Sequence, residues 1–115
     1  MEWKVEVHDA FRIELAQFPE EVQNELLAQA RLLEILGPSL GRPNVDTLKG
    51  SSYSNMKELR FNTKDGVWRV AFAFDPKRCA ILLVAGDKSG ISQKQFYKNL
   101  IRKADRRFHE HLVNL

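Results

Sequence analysis

A chain of 115 residues, 43% hydrophobic, 29% charged and with a net charge of +3, has the composition of one ordinary soluble domain spanning residues 1–115. A single cysteine, Cys79, excludes an intrachain disulfide and a cysteine-built zinc site. No apolar run approaches the roughly 18 residues of a membrane helix, and the first residues, MEWKVEVHDAF, hold no apolar signal core, so the reading is cytoplasmic with no membrane partner.

In EWKVEV, Trp3, Val5 and Val7 alternate with Glu2, Lys4 and Glu6, the pattern of a half-buried strand. Asp9 offers an N-cap for a short helix, AFRIELAQF, with Phe11, Leu15 and Phe18 at helical spacing. Pro19, Glu20 and Glu21 open a second helix whose apolar face runs through Val22, Leu26, Leu33 and Leu36 and stops at Gly37-Pro38. Residues 37–55 are rich in Gly, Pro and Ser, and a stretch this long is either a functional loop or a host for short elements.

Three strand-like runs follow, KELRF, VWRVAFAF and AILLVAG, joined at Asp65-Gly66 and at Asp75-Pro76. A final helix starts at Ser92, where Ser92 and Gln95 fit a capping box. Phe96, Leu100, Ala104, Phe108 and Leu112 form its apolar stripe, while Lys98, Arg102 and Arg106 form a basic one. The order predicts an α+β fold: an N-terminal strand, a helical hairpin on one sheet face, a three-stranded antiparallel meander joined by the first strand, and a C-terminal helix.

Charge is unevenly spread. Residues 1–50 hold 5 Lys/Arg against 9 Asp/Glu, residues 51–91 hold 7 against 4, and residues 92–115 hold 6 against 2. An acidic first part and a basic remainder suit a polyanion approaching one side. Two arginines stand inside strands, where a charge needs a partner. Arg60 shares a face with Glu58 and Asn62, opposite Lys57, Leu59 and Phe61, and an ion pair with Glu58, Glu2 or Glu6 is expected for it. Arg69 lies among Val67, Ala71 and Ala73, small residues that suggest open space above it, and is either paired or aimed at a phosphate. Lys88 follows the last strand.

LKGSSYSNMKELRF, VWRVAFAF, ILLVAGDK and FYKNLIRKADRR together resemble the RelE/ParE superfamily of bacterial toxins from toxin–antitoxin pairs, most closely the phage-derived, HigB-type subgroup. Leu48-Lys49-Gly50, Glu58-Leu59-Arg60, Trp68-Arg69-Val70 and the strand end at Gly86 to Lys88 carry the resemblance through their order and spacing. It implies a metal-independent endoribonuclease without cofactor that cuts mRNA on the ribosome and is silenced by a cognate helix-turn-helix antitoxin, alone or as a homodimer or heterocomplex. Its implied chemistry is attack of a ribose 2′-hydroxyl on the adjacent phosphate, which needs a base, an acid and cations to hold the phosphorane.

On that resemblance Arg69 and Lys88 hold the phosphate, Glu58 acts as base or positions Arg60, and Tyr97 stacks on or orients the RNA. Lys57, Lys98, Arg102 and Arg106 add RNA contacts. His8, His109 and His111 fall at none of the family's histidine positions, and the last two diverge on their helix and make poor joint metal ligands. The superfamily also holds gyrase inhibitors, so a non-catalytic toxin or an inactive phage relic stands as the alternative.

Overall fold

The computed structural model describes residues 2–115. The alternating N-terminal run forms β1 (Lys4–Val7), followed by α1 (Asp9–Leu15) and α2 (Glu20–Leu36). The cap of α1 is His8 and not Asp9: His8 Nδ1 accepts from the Ala10 amide at 3.2 Å, and Asp9 becomes the first helical residue. This helix ends at Leu15, short of the span its periodicity predicts, although Phe18 still packs into the core. On α2, Val22, Leu26 and Leu33 are buried as expected, whereas Leu36 is exposed because the helix terminates beside it. Gly37 turns the chain with φ 53°, and Trp3 lies so close over it that a Cβ there would sit 2.3 Å from the indole nitrogen. Only glycine meets both demands.

The stretch 37–55 does host short elements: a 3-10 turn at Gly37–Ser39 and a strand, β2 (Val45–Thr47). β3 (Lys57–Thr63), β4 (Gly66–Phe74) and β5 (Cys79–Asp87) form the meander, and α3 (Gln93–Val113) closes the chain. The sheet order is β1-β5-β4-β3-β2, with β1 parallel to β5 and every other neighbour antiparallel. The α+β architecture is as predicted, with β2 added at the far edge. Ser92 caps α3 by accepting from the Gln95 amide at 3.2 Å, but the Gln95 side chain turns to Asn99 and leaves the capping box half made.

Two cores lie on the two faces of the sheet. The helical hairpin covers Leu59, Val70, Phe72 and Leu82 with Phe11, Leu26 and Leu33. The other face, carrying Ala71, Ala73, Ile81 and Leu83, is covered by Phe96, Leu100, Ala104 and Phe108 of α3. The open space expected above Ala71 and Ala73 is therefore occupied. Both alanines are fully buried, and their small size is what lets a helix sit against the sheet.

α3 is fastened at its far end by Arg107, whose guanidinium donates to both carboxylate oxygens of Glu14 in α1 and, at 2.8 Å, to the carbonyl of Leu83. Leu83 is the residue that a β-bulge leaves without a partner in β4, since Ala71 faces Val84 and Phe72 faces Leu82, and β1 pairs no further than Leu82. A buried carbonyl left without a strand neighbour is thus satisfied by a side chain. Near the helix end, His111 meets the buried Asp75 at 2.8 Å. An Ala71→Leu substitution should cost about 1–3 kcal/mol of stability in urea unfolding, because the added volume has no room under α3; an unchanged midpoint would return this face to solvent.

Candidate active site

The antiparallel register of β3 and β4 sets Glu58 opposite Ala71, Arg60 opposite Arg69, and Asn62 opposite Val67. Residues directly opposite share a face, so the polar set of β3 and Arg69 of β4 do form one surface, on the side that α3 covers. Gly86 of β5 lies opposite Arg69. A Cβ at Gly86 would stand 2.9 Å from the Phe96 ring, so its bare backbone lets the first turns of α3 approach this end of the sheet. Phe96 in turn packs edge-on against Tyr97 at 5.1 Å between centroids.

The ion pair expected between Arg60 and Glu58 is not formed, and of the two readings open for Arg69 the paired one holds. Arg69, not Arg60, is the partner of Glu58: its Nε lies 3.7 Å from Glu58 Oε1, and both side chains are more than nine-tenths buried. Tyr97 donates its phenolic hydrogen to the same carboxylate oxygen at 2.8 Å. Arg69 also donates from Nη1 to the Trp68 carbonyl at 2.9 Å, while its buried Nε has no hydrogen-bond acceptor. Arg60 is half-buried and, among the described residues, has no carboxylate within ion-pair range. Alternation along one strand cannot tell which of two cross-strand arginines a carboxylate will choose. The choice is made by burial, because the covered arginine must be neutralised and the partly solvated one need not be.

Arg60 and Lys88 line one cleft of about 320 Å³ together with Glu58, Tyr97, Thr47, Lys49 and Gln93. Asp87 positions the loop carrying Lys88, accepting from the Val67 amide at 3.0 Å and the Ser89 amide at 2.9 Å, while the Lys88 amide donates to the Val67 carbonyl at 2.8 Å. Burial, and then the charges of Arg69 and Arg60, push the Lys88 ammonium below the usual lysine range. Burial, and then the hydrogen bond to Glu58, push the Tyr97 phenol above its ordinary value. Arg60, Arg69 and Lys88 thus gather around Glu58, while the cleft's other carboxylate, Asp46, is paired with Arg42; a bound anion would relieve the excess positive charge.

The expected residues divide cleanly. Glu58, Arg60, Lys88 and Tyr97 line the cleft, and Arg69 lies beside Glu58 against its wall. Lys57 faces the helical-hairpin side, opposite Phe72, and is not part of the cleft. Lys98, Arg102 and Arg106 are exposed along α3 outside it. Sequence reasoning missed Arg42, Asp46, Thr47 and Gln93, which line the same cleft, with Arg42 and Asp46 paired at 3.2 Å. Lys49 was visible only as part of a motif. β2 carries two of these, Asp46 and Thr47, and three residues are too few to show a period.

A five-stranded sheet sandwiched between a helical hairpin and a C-terminal helix, with a basic cleft at the strand ends, defines a RelE-like fold. A double-arginine mutant of the Escherichia coli toxin RelE in its free state matches with a TM-score of 0.60 at 10% identity, over 90% of this chain and 97% of that one. A chain of the archaeal RelE–RelB complex from Pyrococcus horikoshii OT3 matches with a TM-score of 0.56 at 18% identity, over 78% and 99%. The chain belongs to the family described as phage derived protein Gp49-like (DUF891), whose profile matches residues 13–109.

Two Mycobacterium tuberculosis proteins are similar to it. The candidate toxin HigB2 is 46% identical over 94 residues, 81% of this chain, and the candidate toxin HigB3 is 53% identical over 76 residues, 66% of this chain. The chain spans 46% and 64% of the lengths of these relatives. The HigB-type resemblance is borne out.

The shared carboxylate has a spectroscopic consequence. The Tyr97 phenol, followed by carbon NMR, should titrate above pH 10, and Glu58→Gln should bring it down part of the way, since burial is the larger cause. Because the folded value is raised, the phenol's contribution to stability is complete below about pH 10 and is lost as pH rises through the folded value. An unshifted phenol in the native protein would contradict the 2.8 Å contact.

Proposed function

We propose that this protein is the toxin of a toxin–antitoxin pair and acts as a metal-independent endoribonuclease on mRNA held by cytoplasmic ribosomes. The observation that carries this reading is the cleft in which Arg60 and Lys88, neither paired with a carboxylate, stand beside the Glu58–Tyr97 hydrogen bond. The family membership and the names of the two mycobacterial relatives support it.

In this reaction the 2′-hydroxyl of one nucleotide attacks the adjacent phosphorus, the bond to the 5′ oxygen of the next nucleotide breaks, that oxygen takes a proton from water to leave as a 5′-hydroxyl, and a 2′,3′-cyclic phosphate remains. Glu58 takes the 2′-hydroxyl proton. Its Oε1 is held by Tyr97, leaving Oε2 without a protein hydrogen bond among the described residues. Arg60 and Lys88 hold the phosphorane oxygens, Arg60 through a planar fork that matches them. Arg69 holds Glu58 in position and adds positive potential behind the phosphate. Tyr97 orients the substrate, and Lys98, Arg102 and Arg106 extend the contact along α3. Lys57, facing the other side of the sheet, takes no part.

The partner that silences the protein is an antitoxin with an acidic segment for the basic surface, as suggested by the archaeal RelE captured with RelB. A second reading, a non-catalytic toxin that inhibits gyrase, is favoured by one observation: no histidine lines the cleft.

Induced expression followed by primer extension should reveal mRNA cuts at codons in the ribosomal A site. Arg60→Ala should reduce cutting by about a hundredfold or more while leaving thermal stability nearly unchanged. Arg69→Ala should abolish cutting and also destabilise the fold, because it strands Glu58 in the interior. Growth arrest with intact mRNA and inhibited supercoiling by purified protein would favour the second reading instead.

A further inference from the structure

Arg60 borders a second groove on its other side. That groove, of about 340 Å³, is lined by Pro43, Asn44, Arg60, Phe61, Asn62 and Arg69. Arg60 therefore stands between two depressions: the cleft containing Glu58, Tyr97 and Lys88, and this groove, which that cleft's residues do not otherwise enter.

Several features mark the groove as built. Arg69, only 6% exposed, lines it while its Nε is turned to Glu58 at 3.7 Å, so its charge stands behind the groove wall. Arg60 and Arg69 are directly opposite in the strand register, where like charges repel unless something negative lies between them. Of the two carboxylates on this face, Glu58 is engaged by Arg69 and Tyr97, and Asp46, opposite it on β2, is engaged by Arg42. The far wall is held in place: the Asn44 carbonyl accepts from the Arg60 amide at 2.8 Å, and Asn44 Nδ2 donates to Gln29 Oε1 at 3.1 Å.

Asn62 is exposed and, among the described residues, makes no side-chain hydrogen bond. It lies on the same face as Arg60, about 7 Å along the strand. A carboxamide offers a donor and an acceptor side by side, the pattern that reads a base edge, whereas a guanidinium reads a phosphate.

We propose that this groove holds the nucleotide next to the one cleaved, with its phosphate on Arg60 beside Arg69 and its base edge on the Asn62 carboxamide. The RNA strand crosses Arg60 from one depression to the other, and Asn62 is the residue that sets sequence preference at the neighbouring position. The inference rests on the ribonuclease reading for the identity of its ligand as RNA, but binding in the groove requires no cleavage.

The test is a nitrogen-labelled NMR titration of the full chain with single-stranded trinucleotides carrying 2′-deoxy sugars at the cut position, which bind but are not cut. The Asn62 side-chain amide and the Asn44 backbone amide resonances should shift, and affinity should differ by about fivefold or more among the four bases at one position. Asn62→Ala should collapse that difference while leaving the mean affinity within about twofold, whereas Arg60→Ala should weaken all four together. Resonances of the Tyr97 cleft moving while those of Asn62 and Asn44 stay fixed would overturn the proposal, as would a base preference that survives Asn62→Ala or no shift at millimolar trinucleotide. Groove shifts in a protein that cuts no mRNA would sink the ribonuclease reading and leave the groove standing.

Discussion

The carboxylate of Glu58 is the one negative charge that β3 presents on the face covered by α3, and two groups compete for the same oxygen. Tyr97 donates to it from the helix and Arg69 approaches it from the neighbouring strand. Burying a guanidinium there without a counter-ion would be prohibitive, and burying the carboxylate alone nearly as bad. Their pairing lets α3 lie across the sheet and neutralises the buried arginine, while Arg60 and Lys88 have no ion-pair partner among the described residues. The basic character of the cleft is thus a consequence of how the interior is neutralised.

The rest of the fold serves that arrangement. Ala71, Ala73 and Gly86 give the helix a shallow surface to lie on, and the Phe96 ring fills the space that Gly86 leaves. The far end of α3 is tied through Arg107 to Glu14 and to the unpaired carbonyl of Leu83, and through His111 to Asp75. A helix anchored at its far end can present Tyr97 at its first turn with little freedom to drift. Position is what a phosphate-handling site needs most, because its donors must already point where charge develops.

Much of this was legible in the sequence, and what was not has a physical reason. Alternation in EWKVEV and VWRVAFAF, the capping serine at Ser92 and the four-residue steps of the final helix identified their elements, because each follows from a local period. β2 escaped notice because three residues show no period, and Asp46 and Thr47 escaped with it. The covering of Ala71 and Ala73 was misjudged because small residues beside an arginine look the same whether a helix or solvent lies above them. The pairing of Glu58 was likewise invisible: strand alternation places Arg60 on its face, but only the three-dimensional register brings Arg69 to it. Local pattern names the face; the competition for one buried carboxylate is decided across strands.

A double-mutant cycle in urea unfolding tests that competition most directly. Glu58→Gln combined with Arg69→Met should show a coupling energy above about 1 kcal/mol, while Glu58→Gln combined with Arg60→Met should show coupling within about 0.5 kcal/mol of zero. The reverse pattern, with Glu58 coupled to Arg60 and indifferent to Arg69, would contradict the account: Arg60 would then be the neutralised arginine and would no longer be available to a phosphate.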